Sequence, residues 1–196
     1  MSSLQIGFAR QDITAPLGIS IGGYYVTRVA DGILDRLYAN TLAISDGVVT
    51  SLLISLDQLS MNKEKMDIYR SLIAKSAEIP YEAVFISCTH SHTTPSVDRK
   101  ESDALYAELL GRLLCDAAKK AISDLRPARL GIGRSIVNKV SFIRRFRMKD
   151  GSLLTNPGVN NPDILEPVGT PDDMVQVVHV MAFSGRKHMR SVPTGS

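Results

Sequence analysis

Little in this chain marks it for nucleic-acid, membrane or disulfide chemistry. Its 23 Lys and Arg against 20 Asp and Glu leave a formal net charge of only +3, so whole-chain electrostatics give no case for a nucleic-acid partner. Most of the surplus sits in two runs, Arg144-Arg145-Phe146-Arg147-Met148-Lys149 and Arg186-Lys187-His188-Met189-Arg190, which leaves open a local basic spot for an anionic group. No apolar run approaches the ~20 residues that a membrane-spanning helix requires. The opening Met1-Ser2-Ser3-Leu4-Gln5-Ile6 lacks the basic-then-apolar build of a secretory leader, so the cytoplasm is the expected compartment. Two cysteines, Cys88 and Cys115, fall on a predicted strand and a predicted helix and read as reduced core thiols.

Histidine is also scarce, with four in 196 residues, yet two of them stand one residue apart in Ile86-Ser87-Cys88-Thr89-His90-Ser91-His92-Thr93-Thr94-Pro95-Ser96. This segment starts as a buried strand over 83–88 and runs directly into the His-x-His, and Pro95 then forbids a smooth continuation. Neutral imidazole binds borderline metals, and imidazole also exchanges a proton near pH 7. The pair is therefore a candidate metal or catalytic-base site. The plainer alternative is two loop histidines hydrogen-bonded to backbone.

Periodicity predicts strands over 4–10, 37–45, 48–56, 83–88, 128–136 and 174–183, and helices over 63–77 and 102–125. Asp46-Gly47 is a two-residue hairpin signal. The 48–56 strand is apolar or small throughout, as in a strand buried on both faces. Asn62 is placed to cap the first helix, whose inner stripe is Met66, Tyr69, Ile73 and Ala77. The second helix is expected to bury Leu105, Leu109, Leu113, Ala117 and Ile122. Gly18, Gly22 and Gly23 mark a loop where backbone comes close to another group. After Ser135 the pattern weakens into loop chemistry at Asn156-Pro157-Gly158 and Asn160-Asn161-Pro162.

The expected class is α/β: a mixed sheet with helices packed on it and two β-α-β units, one on each helix, read as an incomplete domain. Residues 1–183 form the N-terminal portion of that domain. The final strand lies at or near an edge, and 184–196 are expected to be a disordered or non-native tail. Ligands in such sheets gather at the carboxyl ends of strands, where Asp57 and His90 both fall.

A series of landmarks, in order, resembles the neutral/alkaline non-lysosomal ceramidase family. Gly7-Phe8-Ala9-Arg10-Gln11-Asp12-Ile13-Thr14-Ala15-Pro16 resembles that family's opening glycine, Asp-Ile-Thr and proline, and Gly23-Tyr24 its following Gly-Tyr. Gly32-Ile33-Leu34-Asp35-Arg36-Leu37-Tyr38-Ala39 resembles its Gly-Ile-His-Asp-x-Leu-Tyr-Ala segment, with Leu34 in place of the histidine. Ser55-Leu56-Asp57 matches the strand-end aspartate, and Thr89-His90-Ser91-His92-Thr93-Thr94-Pro95 resembles Thr-His-Thr-His-Ser-Gly-Pro. The resemblance runs from about Ile6 to Phe183 and covers only the first part of a complete family domain.

The resemblance implies a zinc-dependent amidohydrolase that cleaves an N-acyl amide with a metal-activated water. It implies His90 as a zinc ligand and His92 as a catalytic group that orients the substrate or shuttles a proton. Asp57 is then a partner for a ligand histidine's second nitrogen, with a cap on the turn after its strand as the plain alternative. Tyr24 and Arg145 are candidate substrate contacts, each with a plain alternative, a core-edge aromatic and a solvated charge. The family's remaining ligands, a histidine, a glutamate and a tyrosine, come from later segments, and neither His179 nor His188 sits in the expected motif. The loop Thr93-Thr94-Pro95-Ser96-Val97 stands where the family has Ser-Gly-Pro-Gly-Gly, a stiffer and reshaped wall. The implied substrate is a small-molecule or lipid amide, in the family's case ceramide. Two other classes are weighed beside it: a catalytically inactive fragment or binding domain of the same fold, and a nucleophile or phosphate site built on Ser91, Ser96 and Arg145.

Overall fold

In the computed structural model the described residues are 4–98 and 104–182; the expected tail at 184–196 lies outside them. The elements are β1 (Gln5–Asp12), β2 (Ser20–Ile21), β3 (Arg28–Val29), β4 (Tyr38–Ser45), β5 (Thr50–Leu56), α1 (Lys63–Ala77), a short 3-10 turn (Tyr81–Ala83), β6 (Val84–Cys88), α2 (Ala104–Ser123), β7 (Arg126–Ile136), β8 (Arg145–Met148), β9 (Leu153–Thr155), β10 (Ile164–Pro167) and β11 (Met174–Ala182). They form two compact units, one built on the chain up to Arg129 and the other on Leu130–Met181.

The first unit is a mixed sheet with both helices on one face. β1 pairs antiparallel with β4, β4 antiparallel with β5, and β5 parallel with β6. Alternation sets the inner face: β4 turns the small residues Ala39, Thr41 and Ala43 inward, and β5 turns Leu52, Ile54 and Leu56. Small residues on β4 let α2 sit close. Tyr106 on α2 donates to the Ile13 carbonyl at 2.6 Å, and Tyr69 on α1 donates to the Ala107 carbonyl at 2.7 Å. Burial pushes the Tyr69 phenol up to about 12, so that hydroxyl stays a donor at neutral pH.

Several expectations are corrected in detail. The β4–β5 connection is four residues, 46–49, and β5 begins at Thr50, because Asp46 Oδ1 accepts from both Val48 N and Val49 N at 2.9 and 2.8 Å and wraps the turn around itself. β5 is buried on one face only, with Leu53 41% exposed on the other. There, Phe8, Leu42, Leu53 and Phe85 stand in register across β1, β4, β5 and β6 as an apolar row.

The expected face of α2 is met in part: Ala117 is fully buried, and Leu113 and Ile122 pack at the margin of the core. Tyr106, Ala107, Leu110, Leu114, Ala118 and Ala121 point inward, while Leu105 and Leu109 are exposed. Close approach decides this: a Cβ on Gly7 of β1 would lie 2.1 Å from the Ala121 carbonyl oxygen, so the helix presents its small residues to the sheet. α1 matches the expected bounds, with the Asn62 side chain accepting from Lys65 N at 2.8 Å.

The β5-α1-β6 unit forms as expected, with its strands adjacent and parallel. The second expected unit does not form. β7 pairs antiparallel with β1, on the far side of the sheet from β6. At 1.5 Å per residue, the 20 residues of α2 span about 30 Å, enough to cross the helical face over β4 and β1 and deliver the chain to the opposite side.

In the second unit, the later part of β7 runs beside β11, which ends the sheet order. β8, β9 and β10 make a three-stranded antiparallel sheet in the order β10-β8-β9, strands too short to show periodicity in sequence. Asn156 and Asn160 adopt left-handed backbone at φ 54° and 55°, the loop role asparagine tolerates best. No helix among the described residues is long and apolar enough to cross a membrane.

Candidate functional site

Because β5 and β6 are parallel and in register, Leu56 opposite Cys88, their carboxyl ends finish at the same edge. The ends of β1 and the start of β4 meet there too, since Asp12 pairs with Tyr38. Asp57 clamps that edge. Its amide donates to the Tyr38 carbonyl at 2.9 Å, and its Oδ2 accepts from Tyr38 N at 2.8 Å. Its Oδ1 takes a longer bond, 3.3 Å, from the Thr89 hydroxyl.

Main-chain pairing continues past the strand ends. Thr89 N donates to the Leu56 carbonyl and His90 N to the Gln58 carbonyl, each at 3.0 Å, and Ser91 N reaches the Gln58 carbonyl at 3.3 Å. His90 takes a left-handed backbone, φ 64°, which turns the chain out of the strand direction at that residue. Its Nδ1 lies 2.9 Å from the Leu59 carbonyl oxygen. A carbonyl only accepts, so Nδ1 carries a proton, and in the neutral form of the ring Nε2 is the nitrogen with the lone pair. Leu59, rather than Asp57, therefore fixes the tautomer of this ring.

Thr94 locks the loop from below. It is fully buried, its Oγ1 accepts from Leu59 N at 3.0 Å, and its hydroxyl donates to the Ser91 carbonyl at 3.0 Å. This side chain occupies one of the positions where the resembled family carries glycine, and that departure was the only sequence signal of its role. Cys88 ends the strand, and burial raises its thiol above the usual range, which leaves it protonated and inert at neutral pH.

The glycine loop between β2 and β3 packs against the histidines. Gly22 N donates to the Thr94 carbonyl at 3.0 Å, and Ile21 bridges to Pro95. A Cβ on Gly23, whose φ is +95°, would lie 2.6 Å from His92 Nδ1, so the imidazole of His92 fills the space that glycine leaves. The His92 ring meets His90 edge-on with centroids 5.2 Å apart, and meets Tyr24 edge-on at 5.8 Å. Tyr24 is thus brought to the histidines, with one face covered by the Arg28 guanidinium 3.6 Å from its centroid. Beside this loop lies a cavity of about 740 Å³, walled by Ile19, Leu37, Arg28, Asp57, Ser91 and Thr93. Arg145 opens β8 in the second unit, exposed, with its carbonyl accepting from Val168 N at 2.8 Å. Leu59, Thr94 and Arg28 were not anticipated from sequence.

The fold is that of an α/β protein of ceramidase-like kind. The chain is similar to solved structures that include neutral ceramidase from Pseudomonas aeruginosa, with TM-score 0.66 and 16% identity, and a ceramidase complexed with C2, with TM-score 0.64 and 16% identity. They align over 95% and 93% of this chain, which spans 30% and 29% of those chains. No family model and no curated protein matches the sequence.

The donor set fits zinc in kind but not in number. A histidine with Nδ1–H held by a main-chain carbonyl and Nε2 open is the usual form of an imidazole ligand. Among the described residues, however, no group of three His, Cys, Asp or Glu side chains gathers around it, and zinc sites take three or four protein ligands.

Proposed function

We propose that this chain supplies the N-terminal part of a zinc-dependent N-acyl amide hydrolase, with a small-molecule or lipid amide as substrate. The observation that carries this reading is His90. Its Nδ1 proton is committed to Leu59, its Nε2 is open, and it stands at the carboxyl edge of parallel strands in a ceramidase-like fold. Zinc bound through His90 and through ligands from outside this chain would lower the pKa of a water to about 7 and polarise the amide carbonyl.

The chain's own residues then divide the remaining work. Leu59 and the 58–91 main-chain bonds hold His90 in one orientation. His92, seated against Gly23, faces the substrate's polar end and moves a proton there. Asp57 keeps the ends of β4 and β5 together under the loop. The exposed edge of Tyr24 contacts the substrate.

Zinc titration against a competing chromophoric chelator tests the reading. Wild-type chain is expected to take up zinc weakly, and His90→Ala to lose that uptake. Equal uptake by the two, or none by either, ends the assignment of His90. A second reading, a binding domain without catalysis, draws on the absence of a third ligand among the described residues. It expects an amide lipid to bind in the presence of chelator as well as in its absence.

A further inference from the structure

Arg28 is used in a way that the hydrolase reading does not require. Its Nη2 donates to the His92 carbonyl at 2.7 Å. Its guanidinium plane lies over Tyr24, Cζ 3.6 Å from the ring centroid. Tyr24 in turn meets the His92 ring edge-on. One side chain therefore holds His92 twice, directly through main chain and indirectly through an aromatic ring. The ion pairs among the described residues do not include Arg28, and its Nε is buried without an acceptor. Leaving a buried donor unpaired is unfavourable, so the guanidinium sits where the Tyr24 and His92 contacts put it, not where its own hydrogen bonding is complete.

The two histidines are consequently fixed by separate devices. His90 is held by the Leu59 carbonyl; His92 is held by Gly23, Tyr24 and Arg28. Only arginine offers both the planar stacking surface and a fork that reaches a carbonyl beyond it. We propose that Arg28 is a positioning residue for His92, setting the orientation of that imidazole against Gly23 and Tyr24, while His90 keeps its own tether to Leu59. The proposal rests on the reading of His92 as a substrate-facing group for its purpose, though not for its geometry.

Solution NMR of the chain with Arg28→Met and Arg28→Lys tests it. In Arg28→Met the ring contact between Tyr24 and His92, read as a nuclear Overhauser effect, is expected to disappear. Amide exchange at 91–93 should rise about tenfold or more, the scale of losing a charge-assisted bond to main chain. Arg28→Lys keeps the charge and restores the exchange protection in part without restoring the ring contact. Zinc uptake through His90 stays at the wild-type level in both. Gly23→Ala is the independent control: by filling the notch it should displace the same ring with Arg28 intact.

Persistence of the Tyr24–His92 contact and of the 91–93 protection in Arg28→Met overturns the proposal. So does loss of zinc uptake in that variant alongside an unchanged thermal unfolding transition, because the two rings would then not be separately held. Failure of the hydrolase reading has a different signature, in which no zinc is taken up by the wild type while the Arg28 effects on ring contact and exchange remain.

Discussion

Leu110, Leu114 and Ala118 on α2 are closed off from water, while Ile132 and Phe142 in the second unit are 84% and 77% exposed. The contrast extends through both units. The first has a continuous core from Ile13 through Leu56, Ile73 and Val84 to Ala121. Among the described residues of the second, Met148 alone is buried. Apolar content is present in both, so composition does not separate them. What separates them is helix-on-sheet layering, which gives each inward side chain neighbours on two sides. The candidate site belongs to the layered unit, where strand ends and loops are over-determined by packing.

The largest test of that contrast is Leu110→Ala, expected to destabilise by about 2–5 kcal/mol in urea unfolding, against a change within about 0.5 kcal/mol for Ile132→Ala. Similar losses at both positions would dissolve the distinction between the units. Glycine substitution sharpens it next. Gly7→Ala forces a Cβ into the Ala121 carbonyl and should cost about 1–3 kcal/mol. Gly133→Ala meets nothing within 4 Å and should lower the urea midpoint not at all. Smaller again is Asn62→Ala, which removes the bond to Lys65 N and should cost about 1 kcal/mol, read by the same unfolding curves.

The smallest expected effect depends on pH. Asp12 is held below the usual carboxylate range by bonds from Thr14 and then by Arg36, whose Nη1 lies 2.6 Å away. A folded value below the unfolded one means that the stabilisation is present above the unfolded carboxylate pKa and is lost as pH falls from there through the folded value. The urea midpoint of Asp12→Asn should therefore fall less steeply with acid than that of the wild type. Parallel curves would show that Asp12 has no share in acid sensitivity.

How far the sequence revealed these features follows from the range of the interactions involved. α1 was legible to the residue because its signals are local: an Asn62 cap, 3.6-residue spacing and Ile79-Pro80 after it. The face of α2 was legible in part: Ala117 lies inward as its spacing predicts, but the larger leucines drew the stripe toward the exposed Leu105 and Leu109, whereas the close approach at Gly7 sets the small Ala121 against β1. The placement of β7 beside β1 depends on a crossing that no local pattern encodes. At the site, His90 and His92 announced themselves by scarcity and by standing after a strand. Their supports at Leu59, Thr94 and Arg28 act through a carbonyl, a buried hydroxyl and a stacked guanidinium drawn from other segments. Gly23 was legible as a place of close approach, though not which side chain approached.

The left-handed turn at His90 bears on any effort to harden this protein. An L-residue there gives up about 1–2 kcal/mol relative to the ordinary right-handed basin, and glycine would not. Relieving that strain by His90→Gly raises the melting temperature wherever it outweighs the lost bond to Leu59, and such a variant has no imidazole. In that case a library screened by melting temperature would discard the very group that makes this edge of the sheet interesting, and a screen that also demands metal uptake would keep the strained residue.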